Sequence, residues 1–409
     1  MLATLIPLFD GKMAVGAYSL FAQKENFLRN PIMLGSGALD GSGYILGLEV
    51  VENIGDETLD KDQEVFIEVS NVSLFAKIEE ECSMEHGKIV LLMDPAVKAE
   101  EKYIKRLQQL KFMGYKLAMN RLPIEKFQEY AQILSLLDYI MLDYKKIDMN
   151  GARTFFTKVY PHVKLIAINV DSQEDYDKLA QGNVYSLYEG DFYRLPVTKG
   201  QQKVSPLKVN YIELLKLVNN PDFELTEAAD VIGRDTALVI ELLKVVNHMS
   251  VNSEITSIRH AAAMLGQKEL KKWINAVVSH ELCADKPSEI TRISLLRAKF
   301  CENLAPVFEM ASLSSELFLT GLFSVLDIIL DKPIKEALAM VNVSKEITSA
   351  LVDGTGDLAK VLNFVQQYEL ANWTELSRQM IVMEVDEKRV YDAYIEALAW
   401  YKELFGGNE

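Results

Sequence analysis

Cysteine, basic clusters and long apolar runs are all scarce in this chain. Its 409 residues include only three cysteines, Cys82, Cys283 and Cys301, and no CxxC pair. So sparse a set excludes a disulfide framework and is typical of reduced thiols in a cytoplasmic protein. No apolar run approaches the length of about 18 residues that a membrane span needs. The first residues, MLATLIPLFDGKMAVGAY, lack a basic region and predict a strand and turn, not a signal peptide.

Basic residues are also fewer than acidic residues. The chain has 43 Lys and Arg against 59 Asp and Glu, a formal net charge of -16, and no basic run with interleaved aromatic residues. Such a chain repels phosphate backbones, so no nucleic-acid binding is expected. Hydrophobic residues make up 49% and charged residues 25%, which indicates a soluble globular protein. The length is enough for two domains.

Short apolar runs dominate the first half of the sequence. There are eight: MAVGAYSLFA, GYILGLEV, EVFIEVS, KIVLLMD, YKLAMN, DYIMLDY, KLIAINV and VYSLYEG. Helical patterns separate several of them, most clearly after residue 98, where Tyr103, Leu107 and Leu110 share one face and Gly114 follows as a stop. Strand and helix in alternation predict a parallel sheet, and eight strands predict a TIM-type (β/α) barrel. About 200 residues is short for that fold, so we expect a small or incomplete barrel.

The second half changes to a helical period. Amphipathic helices are predicted from residue 211 onward, one of them ending at Gly266. We therefore predict an α/β domain at 1–203 and an all-α domain at 204–409. The linker is placed at about 197–207, where Pro196, Gly200 and Pro206 cluster. The last amphipathic segment, 393–405, is expected to pack on the helical domain or to form a partner surface.

The helical half resembles the HDOD domain, the catalytically inert relative of the HD phosphohydrolases. The stretch ELTEAADVIGRDTALVIELLKVVN matches it, with Asp235 and Leu238 opening a helix that ends in Asn247-His248. The Ala-x-x-x-Leu-Gly element spans Ala261 to Gly266. The family resemblance puts Ser324-Val325 where an HD enzyme has its metal-binding His-Asp pair. The five histidines show no HxxxH or HD spacing, so no metal site is expected here.

The first half resembles the EAL domain, a barrel that hydrolyses cyclic di-GMP, and the order of the two halves resembles a family of bacterial signalling proteins. The resemblance implies a site of hard divalent cations held by oxygens at the strand ends. At the positions of that site, this chain carries other residues. Ser19 and Gln23 replace the signature Glu and Arg, Glu68 replaces an Asn, and Leu91 replaces a Glu. Asn120-Arg121 replaces an Asp-Asp pair, Met141 a Lys, Ile168 a Glu and Glu189 a Gln.

This substitution pattern predicts a vacated active site. Leu91, Met141 and Ile168 offer no hard ligand, and Arg121 brings a fixed positive charge. Two like charges about 4 Å apart repel by about 4 kcal/mol at an effective dielectric of about 20, and a divalent ion doubles that. A salt bridge between Glu68 and Arg121 across the barrel mouth is one possible use of the charges that remain.

We therefore expect a cytoplasmic, non-enzymatic regulator with no catalytic, cofactor or metal residues. Its partners are expected to be other signalling proteins, with a homodimer left open, and not membranes, nucleic acids or cyclic di-GMP. Two alternatives stay open at this point. One is a divergent phosphodiesterase that uses Glu68, Asp94, Asp143, Asp171 or Glu189 with a metal. The other is a small-ligand sensor on an inactive barrel.

Overall fold

Eight strands close into a barrel in simple chain order. The computed structural model describes residues 1–23, 26, 28, 45–54, 63–78, 82–196, 206–249 and 255–405. The strands are β1 (Leu2–Phe9), β2 (Val15–Gln23), β3 (Glu64–Val69), β4 (Ile89–Met93), β5 (Lys116–Asn120), β6 (Tyr139–Asp143), β7 (Lys164–Ile168) and β8 (Tyr185–Tyr188). The predicted barrel is thereby confirmed.

The first strand runs against the others. β1 pairs antiparallel with β2 from Leu2 opposite Gln23 onward, and it meets β8 antiparallel at Phe9 and Tyr188. All pairs from β2 to β8 are parallel. A hairpin joins β1 to β2, so no crossover helix covers the outer face of β1 at that point in the chain.

Helices fill several of the later crossovers. They are α1 (Leu46–Ile54), α2 (Glu101–Phe112), α3 (Ala131–Leu134), α4 (Met149–Val159) and α5 (Gln173–Ala180). The helix predicted near Tyr103 is confirmed as α2, and Gly114 follows it in a left-handed conformation (φ 99°). The strand predicted at 43–50 is wrong, because its apolar residues from Leu46 onward begin α1. A short run of branched apolar residues fits a buried strand and a buried helix equally well. The eighth strand is β1, in the N-terminal strand-and-turn segment.

The second half of the chain is helical throughout its described residues. Its helices are α6 (Pro206–Asn219), α7 (Leu225–Ile232), α8 (Thr236–Met249), α9 (Ile258–Leu282), α10 (Ser288–Leu304), α11 (Ser314–Phe323), α12 (Leu326–Leu330), α13 (Ile334–Ala339), α14 (Lys345–Thr348), α15 (Asp357–Glu369), α16 (Trp373–Val382) and α17 (Glu387–Phe405). Gly266 interrupts α9 with φ 72°, so the helix end predicted there is confirmed. Among the described residues, no helix combines the length and apolarity needed to cross a membrane.

The chain forms two compact units that divide it differently from the predicted domains. One unit is Met1–Leu195 together with Phe364–Glu409, and the other is Pro196–Asn363. The first division lies near the predicted boundary, whose linker falls mostly outside the described residues. The last helices, however, belong with the barrel and not with the helical unit. The terminal helix α17 contacts β1 and α1.

Specific side chains hold the C-terminal helices on the barrel. The fully buried Tyr368 accepts a hydrogen bond on its hydroxyl from the Ala3 amide of β1 (3.2 Å). Gln23, at the end of β2, donates to the Ser377 hydroxyl (3.3 Å). Arg194, just beyond β8, forms an ion pair with Glu369 (3.7 Å). These contacts, with those of α17, explain why Phe364–Glu409 belongs to the same unit as the barrel.

Removing the Tyr368 hydroxyl should therefore weaken the barrel unit. We expect Tyr368→Phe to lower the free energy of unfolding by about 1–3 kcal/mol, because the buried Ala3 amide loses its acceptor. Tyr368→Ala should cost about 3–5 kcal/mol, because it also leaves a cavity. Urea unfolding of the full chain measures both. Phe112→Ala is the control, since Phe112 is 93% exposed and its loss should change little. Equal effects of the tyrosine and control variants would contradict this account.

Candidate functional site

The barrel interior is apolar up to its mouth, the rim at the carboxyl ends of β2 to β8. One buried cluster fills it: Leu8, Ala17, Phe66, Val90, Leu92, Ala118, Tyr139, Met141, Ile166, Ile168 and Leu187. Alternation along each strand then determines which neighbours also face inward. By this alternation Ser19, Glu68, Asn120, Asp143 and Glu189 continue the inner face, and the mouth is where they meet.

Two of the three predicted apolar positions face the barrel axis. Met141 and Ile168 are each 1% exposed within the interior cluster. Leu91 is different: Val90 and Leu92 belong to the cluster, so Leu91 between them faces the outer layer. The assignment of the inner position to Leu91 is wrong by one residue, and Leu92 occupies it. The inner position on β4 is apolar in either case.

Glu68 and Glu189 are unusual carboxyl groups at the mouth. Loss of hydration raises the pKa of Glu68 to about 7, the nearby Asp94 adds to the rise, and Arg121 opposes it. Loss of hydration likewise raises the pKa of Glu189 to about 7, with Arg121 again opposing. Glu68 is exposed and Glu189 is partly exposed, so neither carboxyl group is completely enclosed. Both groups are partly protonated at neutral pH.

Arg121 lies close enough to influence both carboxyl groups without contacting Glu68. Its backbone is left-handed (φ 51°), and its amide donates to the Met141 carbonyl (3.2 Å). The side chain is exposed. The described residues include no ion pair between Arg121 and Glu68, so the salt bridge suggested by the sequence is not formed. The preceding Asn120 has a buried amide oxygen with no hydrogen-bond partner in the described part of the chain.

Asp143, 4% exposed, is held by its own neighbours. It pairs with Lys146 (3.1 Å) and accepts from the Lys145 amide (3.1 Å). Burial alone would raise the pKa of Asp143, but these bonds and one from the Asn169 side chain outweigh burial and lower it. Asp171 pairs with Lys145.

The other predicted positions serve local structure. Asp94 accepts from the Ala96 amide (2.8 Å) in the turn after β4. Gln23 faces the C-terminal helices, as described above, and Ser19 is buried with a hydroxyl that has no hydrogen-bond partner among the described residues. In the part of the chain that is described, no three His, Cys, Asp or Glu side chains are grouped so as to hold a metal ion.

In the helical unit, the position of the HD metal pair is held by Ser324-Val325, and Ser324 contacts a guanidinium group. Arg297 of α10, 4% exposed, donates from Nη1 to the Ser324 hydroxyl (2.6 Å). Ser324 in turn donates to the Gly321 carbonyl (2.6 Å). Asn247, at the end of α8, exchanges two hydrogen bonds with the backbone of Ile255. Sequence reasoning did not identify the Arg297 contact, because the pattern around it is that of an ordinary buried helix.

The two raised carboxyl groups give a test of the mouth geometry. Arg121→Gln should raise the pKa of both Glu68 and Glu189 further, because the guanidinium charge holds both down. Carboxyl ¹³C shifts of glutamate-labelled protein, followed against pH, measure this. Lys158→Gln, on the exposed surface of α4, is the control and should move neither value. An unchanged titration in Arg121→Gln would show that the guanidinium does not face the two groups.

The same pKa values fix the sign of a pH effect on stability. Glu68 and Glu189 bind protons more tightly in the folded chain than in the unfolded chain, whose glutamates titrate near 4.5. Their contribution is therefore complete below pH 4.5 and is lost as the pH rises through about 7. Unfolding of Glu68→Gln/Glu189→Gln should show a smaller loss of stability between those limits than the parent chain. A loss equal to that of the parent would contradict the raised values.

Comparison with known proteins adds a family match and two long relatives. Residues 204–349 match the HDOD domain. An uncharacterized protein of Bacillus subtilis, YuxH, is 27% identical over 411 aligned positions, which cover 97% of each chain. The cyclic di-GMP phosphodiesterase CdgJ of Vibrio cholerae is 24% identical over 374 positions, covering 89% of this chain and 84% of CdgJ.

Solved structures resemble the barrel half at a low level. The EAL domain of Mycobacterium smegmatis DcpA is 15% identical with a TM-score of 0.36, covering 46% of this chain and 89% of that domain. An EAL domain protein of Listeria monocytogenes is 13% identical with a TM-score of 0.35, covering 47% of this chain and 86% of that one. The chain thus combines a closed eight-stranded barrel with an HDOD match in its helical half, and it is similar over most of its length to YuxH and CdgJ.

Proposed function

We propose that this protein is a non-catalytic regulator in bacterial signalling that acts by binding other proteins. The observation that carries the proposal is the apolar inner face of the barrel directly below its mouth. Leu92, Met141 and Ile168 are apolar and face the axis on three strands. A catalytic divalent cation in this fold needs oxygen ligands from several strand ends, and these three strands supply none at those positions.

The acids that remain at the mouth are poorly suited to replace those ligands. Asp143 is already paired with Lys146, and Asp171 with Lys145. Glu68 and Glu189 are partly protonated at neutral pH and share their surroundings with Arg121. A cation would have to displace protons and compete with a fixed positive charge. The same logic applies to the helical unit, where Arg297 contacts Ser324. A protein that acts by binding partner proteins needs neither a metal site nor catalytic acids.

Two observations favour a second candidate, a divergent phosphodiesterase. One is the relationship to CdgJ, which is named a cyclic di-GMP phosphodiesterase. The other is the pair of carboxyl groups with pKa about 7, since general acids and bases work best when their pKa lies near the working pH. The unpartnered amide oxygen of Asn120 would suit a third candidate, a sensor that binds a small hydrogen-bond donor at the mouth.

Hydrolysis and binding assays separate the first candidate from the second. We expect no turnover of cyclic di-GMP with Mg²⁺ or Mn²⁺, and no heat of cyclic di-GMP binding by isothermal titration, because the acids at the mouth are poorly suited to hold the cation. CdgJ is the positive control for turnover. Metal-dependent turnover that Asp143→Ala abolishes would refute the non-catalytic proposal and support the divergent enzyme.

The regulatory half of the proposal needs its own measurement. Chemical cross-linking of the intact chain in its host cells, followed by mass spectrometry, should recover cross-links to a signalling protein. Competition with the purified chain should then reduce these cross-links, because a specific surface can be saturated. Cross-links confined to copies of the same chain would support a homodimer in place of a heterologous partner. Recovery of neither would contradict action through protein binding.

A further inference from the structure

Two buried polar atoms on the inner face of the barrel have no hydrogen-bond partner among the described residues. They are the hydroxyl of Ser19, which is 1% exposed, and the amide oxygen of Asn120. Ala17 and Ala118, two residues earlier on the same strands, belong to the interior cluster, so strand alternation directs both polar side chains toward the barrel axis. Buried polar atoms without a partner are rare in folded proteins because they are costly. Two of them directed at one axis indicate a place that a ligand with hydrogen-bond donors completes.

Carboxyl groups supply charge at this end of the barrel. Glu68 and Glu189 continue the same inner face, and in the described part of the chain neither forms an ion pair. The charge of Arg121 acts on both carboxyl groups, which places the three side chains near one another. Asp143 differs from the two glutamates because Lys146 already pairs with it (3.1 Å). The mouth therefore presents carboxyl, amide and hydroxyl oxygens that can accept hydrogen bonds from a bound molecule.

These acceptors are spread around the barrel. Ser19 lies on β2, Glu68 on β3 and Asn120 on β5, and Glu189 directly follows β8. An ammonium group directs all its donors from one atom, whereas a guanidinium is planar and carries N–H groups that point outward in several directions. Acceptors on different strands are therefore matched better by a guanidinium. A guanidinium is also weakly hydrated, whereas Mg²⁺ loses its water reluctantly.

We propose that the barrel mouth binds a small organic cation of the guanidinium class, with Ser19 and Asn120 accepting its hydrogen bonds and Glu68 and Glu189 balancing its charge. The apolar side chains directly below, such as Met141, suit the weakly hydrated flat face of this group. Such a ligand rests on the sensor candidate described above. It requires neither a protein partner nor the absence of turnover, which the cross-linking and hydrolysis assays test separately.

Titration of the intact chain with methylguanidinium tests this assignment, with isothermal calorimetry and the carboxyl ¹³C shifts of Glu68 and Glu189 as readouts. We expect saturable binding that shifts both signals, and at least about tenfold weaker binding of methylammonium, because it makes fewer charge-assisted hydrogen bonds. Tetramethylammonium, which is charged but has no N–H group, should not bind. Absence of saturable methylguanidinium binding would overturn the proposal, as would equal binding of either ammonium ion or tighter binding of Mg²⁺.

Ser19→Ala separates a role in ligand binding from a role in the fold. The hydroxyl has no protein partner to lose in the described chain, so the free energy of unfolding in urea should stay unchanged or rise. Methylguanidinium binding should nevertheless weaken, by about threefold or more, because one acceptor is lost. Glu174→Gln on the exposed surface of α5 is the control and should not change binding. A Ser19→Ala variant that loses stability and binds as tightly as the parent would overturn the site.

Arg121→Gln tests the sign of the ligand charge. Arg121 repels a cation at the mouth, so its replacement should tighten methylguanidinium binding by about threefold or more. Lys158→Gln, on the exposed surface of α4, removes the same charge elsewhere and should have little effect. Weaker binding to Arg121→Gln would show that the guanidinium of Arg121 holds an anionic ligand group, and it would overturn the assignment of a cation.

Discussion

The outer face of β1 has to be covered, and the organisation of the chain depends on how this is done. β1 is joined to β2 by a hairpin, and it pairs with β8 at Phe9 and Tyr188. The missing cover comes from the far end of the sequence, where Tyr368 accepts the Ala3 amide and α17 lies on β1. The residues that match the HDOD domain are therefore enclosed, in sequence, between two parts of the barrel unit.

Much of this architecture could be predicted from residue patterns. Strands β2 to β8 follow apolar runs bounded by turn residues, and α2 follows from the 3.6-residue period that buries Tyr103, Leu107 and Leu110. The helix at Leu46 could not be separated from a strand by its composition alone. The location of α17 could not be predicted either. An amphipathic stripe shows that a helix buries one face, but it does not show which surface receives that face.

At the mouth, two of the inward-facing apolar residues were predicted correctly, but the third residue and the pKa values of the carboxyl groups were not. Met141 and Ile168 face the axis, as their positions implied. On β4 the inward-facing residue is Leu92 and not Leu91, because neighbouring residues of a strand point to opposite faces. The raised pKa values of Glu68 and Glu189 had no local sequence signal. They arise from loss of hydration in the fold, opposed at both groups by the charge of Arg121. Such properties depend on approach in three dimensions, which spacing along the chain does not encode.

The late position of Tyr368 has a consequence for synthesis on the ribosome. Domains generally fold as units while the chain emerges, beginning with the N-terminal one. Here the barrel strands emerge first but lack their cover until α15 to α17 follow, whereas Pro196–Asn363 is continuous in sequence and emerges complete. The barrel can therefore complete its fold only after Pro196–Asn363 has emerged, although the barrel strands are synthesised first. During that interval the outer face of β1 is uncovered, and exposed apolar surface of this kind makes a nascent chain a substrate for chaperones.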